Sequence, residues 1–177
     1  MGSKDPSLWK ENMKQLCSFT TVEGFWQYFT NIPKPSEVFF DGENRKRVGP
    51  DGKQIGEYSL FKKGIEPEWG DPGNCTGGEW FCRQAMDGEQ LNLCWQNLVL
   101  GVVGEALEDS GSPHCYINGA RVVDKSKQYP MYRVELWIST KDSDVKDKLH
   151  RKLVEAVADG LPAHKKEKMR FEWKDHS

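Results

Sequence analysis

The side chains best placed for chemistry in this chain are flat rings and cations. Trp69 closes the run Glu57–Trp69, in which a short apolar strand pattern gives way to a polar loop. A large ring left in water gains nothing there, so a Trp in a polar loop suits a stacking ligand. Trp137 lies in Tyr132–Ser139, where side chains alternate: Val134, Leu136 and Ile138 share one face, Arg133, Glu135 and Trp137 the other. The first set reads as core. The second reads as a surface for a flat ring and an anion. Arg121, Lys125 and Lys127 surround the preceding hairpin and join Arg133 as candidate phosphate donors. The plainer explanations, a Trp covering an Arg stem and lysines in a solvated loop, stay open on these residues alone.

Other chemistries find little support. The five Cys (Cys17, Cys75, Cys82, Cys94 and Cys115) show no C-x-x-C spacing, and the four His are unpaired in sequence. No zinc site, other metal site or disulfide framework is expected, and the thiols read as reduced core residues. No Cys-His or Ser-His-Asp arrangement and no phosphate-cradling Gly loop before a helix suggests catalysis, and no cofactor is implied. The net charge of −2 excludes a bulk polyanion binder, so a nucleic-acid contact must be local. No apolar run spans a membrane and no signal peptide is visible.

These side chains need a scaffold of one domain, which 177 residues suit. Residues 1–6 are expected to be a tag remnant or disordered. Thr20-Thr21-Val22-Glu23 is a capping box with Thr20 at the N-cap, opening a helix over 21–31 with Val22, Phe25, Trp26 and Phe29 at helical spacing. Residues 33–56, rich in Pro, Gly, Asp and Lys, are expected to form a long mobile loop. Leu91, Cys94, Trp95, Leu98, Val102 and Val103 stripe a second helix over 90–108. Leu149, Leu153, Ala156 and Val157 stripe a third over 143–159, with Asp142 or Ser143 as cap. Strands are expected at 13–19, 58–62, 79–86, 115–123, 132–140 and 170–173. The pattern is α+β with an antiparallel sheet. Trp80 and Trp95 are assigned to the core.

The run "YSLFK-GIEP-W" at 58–69 closely resembles the mRNA cap-binding family of translation initiation factor 4E. "TVEGFW" at 21–26 resembles that family's first helix, "GGEW" at 77–80 a strand, "GVVGE" at 101–105 the second helix, and "VELWIS" at 134–139 the methyl-contacting strand. The resemblance covers residues 7–162. It implies a strongly curved antiparallel sheet with three helices on its convex face and the cap site on the concave face. Trp9 and Trp69 match the pair that sandwiches 7-methylguanine, where a cationic purine gains stacking and cation–π attraction. Trp137 matches the methyl contact. Arg121 and Arg133 match the phosphate-binding basic positions, with Lys125 and Lys127 as helpers. Val22, Trp26, Leu100 and Gly104 match a convex surface that binds helical motifs of scaffold and inhibitor proteins. Gln96 and Asn97 replace a Leu and a Glu of the family there.

Two departures stand out. The family places a Glu after the loop Trp to accept hydrogen bonds from the guanine edge; this chain has Gly70. The Trp69 backbone N–H remains as a donor, and Glu68, Asp71 or water is left to supply the acceptor. The family's first strand also precedes the matched region, and this chain is expected to lack it. The implied function is a cytoplasmic, monomeric, non-enzymatic binder of capped mRNA that acts in translation initiation through a scaffold partner. A cap-binding repressor of the same fold and, less favoured, a nucleotide-processing enzyme are the alternatives.

Overall fold

The structure, a computed structural model, describes residues 13–44, 52, 54–108 and 114–176. These fall into two compact units divided between Pro33 and Lys34.

In the first unit, α1 spans Val22–Phe29. Its N-cap is Thr21, one residue later than expected: its side-chain oxygen accepts from the Gly24 N–H at 3.1 Å. Phe25 is buried, with rings of Phe19, Trp26 and Phe29 at 5.0–5.3 Å. Residues 13–19 form no strand. Lys14, Gln15, Leu16 and Ser18 are exposed, so the segment has no buried face to fix it in a sheet.

The second unit begins with α2, Pro35–Val38, inside the expected loop. Val38, Phe39 and Phe40 are buried here, and this apolar anchor overrides the Pro- and Lys-rich composition that suggests mobility. The Phe40 N–H donates to Asp124 Oδ2 at 3.0 Å, and its carbonyl accepts from the Tyr132 hydroxyl at 2.5 Å. The remaining loop positions 45–51 and 53 lie outside the described residues.

Five antiparallel strands follow: β1 Glu57–Phe61, β2 Gly78–Gln84, β3 Ile117–Asp124, β4 Tyr132–Ile138 and β5 Glu172–Asp175. They form one open sheet in the order β1-β3-β4-β2-β5. The last strand starts two residues later than the apolar pattern suggests, because Phe171 is buried but unpaired and β5 registers Trp173 on Trp80. Ala120, Val122, Val134, Leu136 and Ile138 on one face are buried under α3, Gly88–Val103. Burying each large aliphatic chain of this set contributes about 1.5–3 kcal/mol. Asp87 caps α3 through the Gln90 N–H at 2.8 Å. The helix ends before the expected 108, because Leu107 folds back over the bare Gly101.

Helix α4, Ser143–Val157, is capped by Asp142, and a short α5, Ala163–Lys166, follows it. Trp95 is buried as expected. Trp80 is only partly buried, stacking on His150 of α4 at 4.3 Å and meeting Trp173 edge-on at 5.3 Å.

Gly119 decides how closely β1 and β3 approach. A Cβ there would stand 2.4 Å from the Leu60 carbonyl oxygen and 2.5 Å from the Phe61 ring. Its absence lets Phe61 lie edge-on to Trp137 at 5.3 Å.

Candidate functional site

The face of the sheet opposite α3 carries the polar candidates. Register places Glu57 and Phe61 of β1, Gly119 and Arg121 of β3, Arg133, Glu135 and Trp137 of β4, Glu79 and Phe81 of β2, and Lys174 of β5 on it.

The loop between β1 and β2 presents Trp69, 47% exposed, at one side of this face. Its own hydrogen bonds hold the loop. Asp71 accepts from the Glu66 N–H at 2.9 Å and the Gly73 N–H at 2.7 Å. Asn74 donates to the Glu66 and Glu68 carbonyls at 2.8 and 3.0 Å, and Asn118 of β3 donates to Asn74 Oδ1 and the Gly73 carbonyl. Asp71 is buried in this work, so it is unsuited to a ligand's edge, against expectation. Gly70 has open space around its Cβ position and a φ outside the left-handed region. Glu68 stays a candidate.

Three cations and rings approach Trp69 and its partner Trp137. Lys174 Nζ stands 3.6 Å from the Trp69 ring centre, a cation–π contact. The His176 ring lies 6.2 Å from that of Trp69 at 21° and 4.3 Å from that of Trp137. Trp137 does share the polar face with Arg133 and Glu135, but it is fully covered, contrary to the expected exposed surface. Phe61 and His176 close over it, and its indole N–H donates to Glu135 Oε2 at 2.8 Å.

Arg121 and Arg133 point into the same face, and both are already paired. Arg121 meets Glu57 at 2.5 Å and Glu135 at 3.6 Å. Arg133 pairs with Glu79 and meets Glu135 at 2.9 Å, with its guanidinium 3.8 Å from the centre of the Phe81 ring. Glu79, 1% exposed, also accepts from the Trp69 indole N–H at 3.3 Å and meets His176 Nε2 at 3.2 Å. Burial alone would raise the Glu79 carboxyl; the His176 hydrogen bond and the Arg133 charge outweigh it and leave the pKa lowered. For Glu135 burial wins over the Arg121 and Arg133 charges, and its pKa is raised. Lys125 and Lys127 are exposed on the β3–β4 hairpin.

Sequence reasoning missed Glu57, Glu79, Lys174 and His176. Alternation along β2 puts Glu79 and Arg83 on one face, a signal available for Glu79. His176 becomes visible only once the register of β5 is known.

Trp9 lies outside the described residues. Among the convex-surface candidates, Val22 and Trp26 are exposed on α1. On α3, Gln96 and the C-cap Gly104 are exposed and Leu100 is partly so. Asn97 is taken up within the fold, its amide donating to the Val157 and Asp159 carbonyls at 3.3 and 3.0 Å. That use argues against Asn97 as a partner contact.

The sheet is open and antiparallel, with helices on one face and Trp137 among paired arginines on the other. A family profile described as "Eukaryotic initiation factor 4E" matches residues 2–177, and the chain belongs to that family. Eukaryotic translation initiation factor 4E-2 of Schizosaccharomyces pombe is 32% identical over 84% of this chain and 54% of its own length. The chain spans about half the length of the curated relatives it matches. A solved complex of Ascaris suum eIF4E-3 with an m7G cap superposes with TM-score 0.72 at 28% identity, over 100% of this chain and 84% of that one. A complex of C. elegans eIF4E-3 with the 4E-binding protein Mextli gives 0.69 at 26%, over 93% and 82%.

Proposed function

We propose that this chain binds the 7-methylguanosine cap of mRNA and is no enzyme, acting in translation initiation in the cytoplasm. The carrying observation is Trp69. A half-exposed indole on a loop braced by Asp71, Asn74 and Asn118 is a preorganised stacking platform, which lowers the ordering cost of binding. Family membership and the m7G-bound Ascaris neighbour support the methylated purine as its ligand. The family resemblance assigns Trp9 the second stacking role and Trp137 the methyl contact. Glu68 or water takes the guanine edge, with the Trp69 N–H as donor to its carbonyl. A scaffold or inhibitor protein docks through a helical motif on Trp26 and Val22, in keeping with the Mextli-bound neighbour.

The test is tryptophan fluorescence. Addition of 7-methyl-GTP should quench strongly and GTP weakly. Trp69→Ala should weaken 7-methyl-GTP by about 1–3 kcal/mol, the cost of one stacking partner. Equal response to both nucleotides, or unchanged affinity in the variant, would refute the reading.

A further inference from the structure

A second concavity opens at the end of the sheet, apart from the polar face. It is a cleft of about 450 Å³ between the end of β2, the first turn of α3, the turn before β4 and the segment of α5. Met86 and Gln90 are its buried lining, 5% and 6% exposed. Its outer lining comes from two other segments: Tyr129 beside Pro130, and His164, Lys165 and Lys168.

Gln90 is the informative residue. Its backbone N–H donates to Asp87 Oδ1 at 2.8 Å, but its side-chain amide has no hydrogen-bond partner among the described residues. A buried amide without a partner is rare in a folded chain. It offers a donor and an acceptor side by side, which complements the edge of a nucleobase. Tyr129, 62% exposed, offers a ring for the face of that base. Asp87 also lines the cleft, but its carboxylate caps α3 and pairs with Lys165. His164 and Lys168 are exposed and make no ion pair among the described residues. The run Ala163–Arg170 holds His164, Lys165, Lys166, Lys168 and Arg170 against Glu167 alone, in a chain of net charge −2. Cations are thus gathered beside the amide and the ring, which complements phosphate.

An acidic peptide would also match the cations. The exposed ring and the unpaired amide favour a nucleotide over it. Position adds to this. Arg83 is exposed and is the register partner of Arg133, and the next residue, Gln84, lines the cleft. A polynucleotide that leaves the polar face past Arg133 and Arg83 meets the cleft next.

We propose that this cleft is a second site that accepts one nucleotide of single-stranded RNA. Tyr129 stacks on the base, Gln90 pairs with its edge, and Lys168 with His164 meets its phosphate. The choice of occupant rests on the cap-binding reading above; the cleft itself does not.

The experiment follows the anisotropy of a fluorescein-labelled, uncapped ten-nucleotide RNA titrated with the full chain, alone and with excess 7-methyl-GTP. The RNA should bind in both conditions. Tyr129→Ala and Lys168→Glu, both at exposed positions, should each weaken it about tenfold. Arg151→Glu, on α4 and outside the cleft lining, should not. Gln90→Met keeps the side-chain bulk without the amide and should level the affinities for the four homopolymers. Tryptophan quenching by 7-methyl-GTP should be the same in all four variants. No RNA binding up to about 100 μM chain at physiological salt overturns the proposal. So does RNA binding that 7-methyl-GTP displaces, or that neither Tyr129→Ala nor Lys168→Glu weakens. Displacement by hexaglutamate at matched charge would show that charge alone is read, and overturns it too. The two readings fail separately. RNA held through the cleft residues without quenching by 7-methyl-GTP sinks cap binding and leaves the cleft site. Quenching without cleft-dependent RNA binding sinks this inference alone.

Discussion

Gly70 stands where the family resemblance implies a Glu, and its surroundings make the difference testable. No atom outside its chain neighbours lies within 4 Å of a Cβ built there, and its φ is one that L-residues adopt. Gly70→Glu should therefore fold without strain. Asp71 cannot move to the vacant role, because releasing it would orphan the Glu66 and Gly73 N–H groups. A carboxylate at 70 adds a charged acceptor at the base edge, which contributes about 1.5–3 kcal/mol. Calorimetry should show tighter 7-methyl-GTP binding in the variant and a sharper preference for guanine over other methylated purines. No gain, with the melting temperature unchanged, would mean that Glu68 or water already fills the position.

At the scale of elements, the closest constraint is the approach of β1 to β3 at Gly119. Gly119→Ala drives a methyl into the Leu60 carbonyl and the Phe61 ring, which must shift. Overpacking of this kind costs about 1–3 kcal/mol. Moving Phe61 also uncovers Trp137, so both thermal stability and the Trp emission maximum should change; an unaltered melt would contradict the packing described. Much of this layer was legible beforehand. Alternation in β4 separated Val134, Leu136 and Ile138 from Arg133, Glu135 and Trp137 correctly, because period-2 patterning survives any tertiary context. It could not say that Glu135 and Trp137 are buried as well. That depends on His176, which reaches Trp137 because β5 pairs with β2, Gly78 opposite Asp175 and Trp80 opposite Trp173. The segment 13–19 misled for the converse reason, since apolar content without a partner strand makes no sheet. Likewise Val38, Phe39 and Phe40 lay hidden in a composition that signals a loop.

Across the whole molecule, the ionic series on the polar face ties four strands together and makes stability depend on acid. The folded state lowers the Glu79 pKa, so its contribution is present above the ordinary carboxylate value of about 4.3 and is lost as pH falls through the lowered folded value. Glu135 works with the opposite sign, because its raised pKa favours the protonated form in the fold and costs stability once pH exceeds that value. Melting temperatures taken from neutral pH downward should fall more steeply in acid for the wild type than for Glu79→Gln, and the two curves should converge at the acid end. Parallel curves would show that Glu79 is not the group responsible. One bond in this same region sets a different kind of limit. Asn118 precedes Gly119, the dipeptide most prone to lose its side-chain amide through a cyclic imide. In the fold that amide is pinned to the Gly73 carbonyl and Asn74 Oδ1, and the strand backbone cannot close the ring. A chain held unfolded has no such protection. Once Asn118 has become an acid, two acceptors in the Trp69 loop face a third instead of a donor. The molecule thus carries a clock that runs only while it is unfolded, and the fraction that refolds after heating is governed by elapsed time as well as by temperature.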